Sequence, residues 1–442
     1  MRRILGTAAL AFGVAALAGT LVAAPLVDAA TGPTPVLSAL ISPRRVTAQQ
    51  GHARFLVGAR LSVPARFIVK ITRTSNRRVM KTVTTAGIHK AGRVFLLVQA
   101  TDSRGYQLPP AAYTVFIGAT GAHGRNARGH SYALTLTYTA PRGMLDWYAV
   151  PNDADIRASL GLHTSVGQVV AAVHPGSALA VAGIRRGDVI TRVNGIDATT
   201  PGGFARAVRQ LPANIPVRIE ILRGVNPITV TVTTPPDWNA ISDLAPQLGA
   251  AAATKAFGYA YALVSYDVAV GNLTAAAQIM GGWSKASAAT ATAQLAHAQL
   301  AAAEHNPSSA LAFWSRALAL NGTLSQAAFG EGIAYNAMAN EPAAANAFAR
   351  AAALDPQSSA DPAYQALALE QAHLPQLALS AAAAAVSLDP TNPDALAAQG
   401  IGQIQTAQRT TGVATLERGL VLTDDPGRAQ FLITTFLEPA VP

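Results

Sequence analysis

Between residues 310 and 390 the chain repeats itself every 34 residues. "ALAFWSRALALNG" starts at 310, "AANAFARAAALDP" at 344 and "ALSAAAAAVSLDP" at 378. A fixed period of this length marks one supersecondary unit that cannot bury its apolar face alone, so neighbouring units must stack. Ala310, Ala344 and Ala378 recur, as do Ala317, Ala351 and Ala385, and Pro356 and Pro390 close their units. Small residues at two fixed places let paired helices approach closely. Gly332 and Tyr335 in "FGEGIAYNAMA" and Gly400 in "LAAQGIGQ" fall at matching first-helix positions. Weaker copies fit at 257–290, with Ala276, and at 393–426, which predicts about five units. Alanine is concentrated after residue 244, as tightly packed helices require.

This period and its small-residue pattern resemble the tetratricopeptide repeat family. The resemblance implies an all-α solenoid over 244–442 whose first helices line a concave groove. By pattern position the lining is Phe329, Ile333, Asn336, Leu367, Glu370, Ile401 and Ile404. The functional reading is a peptide or partner groove. The plain alternative is a scaffold arm that holds little, because the lining lacks a Lys/Arg clamp for acidic tails. His297, His305 and His373 stand alone and read as structural or surface residues.

Upstream, "AGIRRGDVITRVNG" (182–195) reads as a helix end, a Gly-Asp corner, a short strand and an Asn-Gly turn. Gly187 and Gly195 give backbone freedom at the corners, and Asp188 can accept nearby amide hydrogens. Phe204 and Val208 lie four apart and face one way on a helix. The segment "GQVVAAVHPGSALAVAGIRRGDVITRVNGIDATTPGGFARAVRQLPANIPVRIEILRGVNPITVTV" resembles a PDZ domain of the circularly permuted type found in HtrA-like proteases. The resemblance implies an α+β domain over 141–238, in which a peptide adds a strand beside the helix bearing Phe204 and Val208. The loop that holds a peptide carboxylate falls on Met144-Leu145-Asp146-Trp147. The family has Gly where this chain has Asp146, which removes backbone freedom and adds a like charge. Either the domain takes internal peptides, or Asp146 points to solvent and tail binding survives, or the domain is purely structural.

Residues 31–140 carry short β-branched runs separated by Gly, Pro, Asn and Ser, the spacing of an all-β sandwich. "RFIVKI" and "YTVFIG" alternate as half-buried strands. "AGRVFLLVQATDSRGYQLPPAAYTVFIGATGAHGR" resembles the immunoglobulin-like modules of bacterial surface proteins, which implies a spacer or adhesive sandwich. His89, His123 and His130 are scattered and argue against a metal site. This segment holds 15 Lys/Arg and one acid, whereas residues 241–442 hold 7 Lys/Arg and 14 acids. The basic front suits anionic envelope polymers, or is a solvated Arg-rich face. Nucleic acid is not expected, since no aromatics interleave the cations.

The first 29 residues, two arginines followed by an apolar run and a small-residue end at Val27-Asp28-Ala29, read as a secretory signal; the alternative is an uncleaved anchor. The absence of cysteine excludes disulfides, thiol catalysis and Cys-bound zinc. Only about 110 residues separate the signal from the PDZ-like segment, too few for a trypsin-like double barrel, and they hold no Gly-x-Ser-x-Gly. No HExxH occurs. The expectation is an exported, non-enzymatic chain without cofactor or metal, binding proteins or peptides. The alternatives are an adaptor for a separate envelope protease and a cell-wall adhesion protein.

Overall fold

The computed structural model describes residues 37–42, 45–49, 54–85, 87–103, 108, 111–121, 124, 126–139, 145–211, 215–234, 244–423 and 432. The signal segment, His123 and Met144 lie outside these. The described residues fall into two compact units, one within 145–408 and one combining 37–139 with 409–432.

The second unit is two β-sheets over one core. Its strands are β1 (Leu37–Ser42), β2 (Arg45–Gln49), β3 (Arg54–Leu61), β4 (Ala65–Arg73), β5 (Val79–Thr84), β6 (Gly92–Gln99), β7 (Ala111–Gly121) and β8 (His130–Thr139). One sheet has the order β1-β3-β6 and the other β2-β8-β7-β4-β5, with β2 parallel to β8. Alternation sets the faces: Ala65, Phe67, Val69 and Ile71 of β4 are buried while Arg66 and Lys70 face out. Phe55 and Val57 from one sheet share a core with Val69, Val115, Ile117 and Leu134 from the other.

The first unit joins a sheet to a helical array. Its strands are β9 (Trp147–Pro151), β10 (Gln168–Val173), β11 (Val189–Val193), β12 (Ile196–Asp197), β13 (Pro216–Arg223) and β14 (Asn226–Thr233), in the order β14-β13-β11-β10-β9 with β12 on β11. Helices α1 (Ala154–Leu160), α2 (Ala178–Val181) and α3 (Pro201–Arg209) lie between strands. One sheet face packs Trp147, Ile190, Val217 and Ile219 against Leu179, Phe204 and Ala207. The other puts Tyr148, Val150, Val169 and Ala171 against Leu248, Tyr261 and Val264 of the following helices. Strand β10 is buried on both sides, which explains its unbroken apolar run "VVAAV".

The helices are α4 (Ala245–Ala252), α5 (Phe257–Val270), α6 (Leu273–Gly281), α7 (Lys285–Ala288), α8 (Ala291–Ala303), α9 (Pro307–Leu320), α10 (Ser325–Ala337), α11 (Glu341–Leu354), α12 (Ala360–Gln371), α13 (Pro375–Leu388) and α14 (Pro393–Gln405). All six recurring alanines are fully buried. A Cβ on Gly332 would come within 2.6 Å of the Phe348 ring, and one on Gly330 within 2.1 Å of Trp314. The backbone carries the period too: Gly271, His305, Ala339, His373 and Ala407 all adopt positive φ, each 34 residues after the last. Two of the isolated histidines are thus turn residues at the crossing within a helix pair. The final helix α15 (Arg409–Leu422) packs on β3 in the other unit, so the weak copy at 393–426 is divided.

Candidate functional site

The geometry around α3 follows from its sequence. Thr200 caps the helix by accepting the Gly203 N–H at 3.1 Å, and Pro201 opens the first turn. Phe204, Ala207 and Leu211 point into the sheet. Gly202 and Gly203 face the repeats: a Cβ on Gly202 would lie 2.4 Å from Ser358, and one on Gly203 would lie 2.5 Å from Gln357 Oε1. The glycine pair therefore admits the turn between α11 and α12.

That turn and its successor hold the helix at both ends. The Gly202 N–H donates to Asp355 Oδ2 at 2.7 Å. Arg206 donates to Gln357 Oε1 at 3.3 Å, and Gln357 Nε2 donates to Asp197 Oδ2 at 2.9 Å. Arg209 pairs with Asp389, which is fully buried, and Gln210 Nε2 lies 3.5 Å from the same carboxylate. Burial works against ionisation of Asp389, but Arg209 and the Thr391 donors prevail and hold it below the usual carboxylate range. Asp197 is held low in the same way: burial is outweighed by hydrogen bonds from Thr199 and Gln357 and by the charge of Arg192. In a separate contact with the helices, the Thr292 hydroxyl lies 2.8 Å from Asp153 and 3.0 Å from Asp155, and its N–H donates to Asp155. The Gly258 N–H donates to Ser159.

In the groove, Leu145, Trp147 and Phe204 share one cluster, and the Trp147 and Phe204 rings are 6.0 Å apart. Trp147 is 1% exposed and Phe204 7%, and the Trp147 Nε1 has no hydrogen-bond partner. Both rings thus belong to the core between the sheet and α3. Asp146 is half-buried and its carbonyl accepts the His174 N–H at 2.9 Å. Val208 is half-buried beside the cluster. Asp188 accepts the Arg185 N–H and pairs with Arg223 at 2.7 Å, locking the Gly-Asp corner, where Gly187 has φ 89°.

The concave positions are divided. Phe329 packs against Phe348 and Tyr364, with ring centroids 5.2 and 5.1 Å away, and Ile333 joins their cluster. Leu367 and Ile404 are half-buried. Asn336, Glu370 and Ile401 were expected to line the groove but are buried, Glu370 because the small Gly402 lets α14 lie against its carboxylate. A Cβ on Gly402 would sit 2.8 Å from Glu370 Oε1. Both Glu370 oxygens lack partners, and burial pushes its carboxyl up to about 7. Burial raises Asp361 to about 7 as well.

Among the described residues no group of three or more His, Cys, Asp or Glu could hold a metal ion, and no helix is long and apolar enough to cross a membrane. Sequence reasoning missed Asp355 and Asp389 and marked only the Pro that follows each. Their one signal was recurrence of the carboxylate itself, 34 residues apart.

Residues 169–223 match the family model described as PDZ domain. Curated relatives include a "Probable periplasmic serine endoprotease DegP-like" from Brucella suis biovar 1 and a protein of the same name from Brucella melitensis biotype 1. Each is 35% identical over 98 residues, or 22% of this chain and 19% of the relative. The chain thus spans about a fifth of the length of the curated relatives it matches. Similar solved structures include one of MamA (18% identity, 36% of this chain and 94% of that one, TM-score 0.33). Another is YrrB, described as a TPR protein with an unusual peptide-binding site (16%, 43% and 99%, TM-score 0.34). The sheets, the family match at 169–223 and the stacked helices give the chain an N-terminal β-sheet region, a PDZ domain and a C-terminal helical-repeat region.

Proposed function

We propose that the chain is a non-enzymatic interaction scaffold of the bacterial envelope, taking peptide segments at the PDZ groove and partners along the repeats. The observation that carries this is the bracing of α3. The helix that borders the groove is tied to two successive repeat turns, so the two surfaces are held in fixed relation. Asp146 in place of the family's Gly, beside the buried Leu145 and Trp147, favours internal segments over free carboxylates. Export rests on the N-terminal segment and on the likeness to a protein named as periplasmic. The immunoglobulin-like reading of the β unit makes it a spacer, with its outward Arg66 and Lys70 suited to anionic polymers. A second reading, an adaptor for a separate envelope protease, draws on the DegP-like match.

The test is a titration of the full chain with apolar C-terminal peptides and their amidated twins. Amides binding as tightly as free acids, with loss on Val208→Asp, is the expected result. Tighter binding of the free acids would refute internal recognition. Binding to neither would move the function to the repeats.

A further inference from the structure

The bracing of α3 leaves one carboxyl of its own turn unused. Asp361 stands in the first turn of α12 and is 6% exposed. Among the described residues no cation pairs with it. The two cations of α3 are engaged, Arg206 with Gln357 and Arg209 with Asp389. Asp197 of β12 takes Gln357 Nε2. On α11, Arg350 lies beside Glu331, and Glu341 stands at the opposite end from this turn. Helix α13 has no charged residue, α14 brings only the acid Asp394, and Glu370 sits at the other end of α12. The charge that acts on Asp361 is Asp355, of like sign.

Little in the turn can stabilise an ionised Asp361. A helix N-terminus ordinarily favours a carboxylate through its free N–H groups, but the next residue, Pro362, has none to give. The Ser358 hydroxyl is the side-chain donor to Asp361, and Ser358 Oγ in turn accepts the Asp361 N–H at 3.4 Å. Burial, with the charge of Asp355 added, outweighs that bond and raises the carboxyl to about 7. The same residues clamp α3. Asp355 accepts the Gly202 N–H at 2.7 Å and the Gln357 N–H at 3.2 Å. The Ser358 Cα lies 2.4 Å from the place of a Cβ on Gly202. A charge on Asp361 therefore repels the carboxylate that holds Gly202 and draws water toward the serine wedged against it.

We propose that Asp361 is a proton-operated latch on the PDZ helix. Protonated, it lets residues 355–359 close on Gly202; ionised, it opens that contact while Arg209 and Asp389 keep the other end of α3 in place. This rests on the bracing of α3 and not on what either surface binds. Ionisation is opposed in the closed turn and free once water enters. The contact is therefore firmest near the ordinary 3.8, loosens as the pH rises and is weakest above about 7. The test is hydrogen exchange of the full chain at pH 5 and pH 8, corrected for intrinsic rates. Protection of amides 202–204 should fall about tenfold at pH 8, and that of amides 207–210 less than about twofold. Asp361→Asn is neutral and of the same shape, so it should keep the pH 5 protection at pH 8. Asp355→Asn keeps an acceptor for Gly202 but removes the repulsion, so it should shrink the fall; it serves if circular dichroism shows the first variant folding poorly. A fall of the same size across 202–210, or no fall at all, would overturn the proposal. So would a fall that survives Asp361→Asn, which would assign the pH dependence to Glu370 or another group, or one undiminished in Asp355→Asn.

Discussion

The pair between Arg209 and Asp389 is the sharpest test of how the PDZ helix is held. Asp389 is fully buried and Arg209 is 22% exposed. Removing one partner of such a pair leaves the other charge with poor hydration, which in a fully buried pair costs about 3–5 kcal/mol. Water reaches Arg209, so about 2 kcal/mol is the better expectation for Arg209→Met, which keeps the apolar stem. For Asp389→Asn the loss is similar, since the amide oxygen can still take the Thr391 donors at 2.7 and 3.0 Å. The double variant should cost less than the sum of the two, with a coupling of about 1.5–3 kcal/mol for a charge-assisted bond. Urea unfolding of the full chain gives the cycle, and hydrogen exchange of the amides at 202–210 localises it. Asp389 is held below its ordinary 3.8, so its contribution is complete above that pH and is lost as the pH falls through its depressed folded value. A coupling below about 0.5 kcal/mol, or one that persists unchanged into strong acid, would refute the bracing argument.

Three further outcomes follow from the repeats. Gly330→Ala puts a Cβ 2.1 Å from the buried Trp314 ring and should destabilise by about 1–3 kcal/mol, read from the urea midpoint. Ala339→Gly and Ala407→Gly relieve left-handed backbone at φ 55° and 66° and should each raise stability by up to about 1 kcal/mol in the same assay. Glu370→Leu should raise the melting temperature well above neutrality and do little near pH 5. The folded carboxyl sits near 7 against an ordinary 4.5, so its penalty is fully present only above the folded value and vanishes as the pH falls toward the unfolded one. That difference is on the order of 3 kcal/mol at most.

What could be read in the sequence was what local chemistry repeats or fixes. The Gly-Asp corner is held by contacts a few residues apart, such as Arg185 N–H to Asp188, so its motif was visible. The recurring alanines mark helix crossings at one period, so the solenoid was visible as well. The concave lining was assigned too widely. Position along a helix says which way a side chain points, but a small residue such as Gly402 decides whether the next helix closes over it, and so Glu370 is covered. The docking of the two parts could not be read, because its bonds join residues 153 and 180 apart. His305 and His373 showed no pattern as side chains, since what recurs at their positions is the backbone turn.

The docking has a metric basis. Gly202 and Arg209 are seven residues apart on one helix, a rise of about 10.5 Å. Asp355 and Asp389 are one repeat apart, and neighbouring packed helices stand about 8–10 Å from each other. Two turns of the PDZ helix therefore match one step of the solenoid, and equivalent carboxylates meet the helix at its N-terminal amide and at its last basic residue. One repeat earlier the same position is Asn321, whose carboxamide oxygen accepts from the Thr323 N–H and hydroxyl within its own turn. The match is lost there because α3 begins at Pro201, leaving no further turn of helix to meet a third repeat. Any change in repeat spacing must stretch the Asp355–Asp389 interval against a helix that cannot lengthen. Ligand-driven movement of the solenoid would accordingly release one end of α3 before the other, and the Arg209 end, held by a buried ion pair, would be the harder to break.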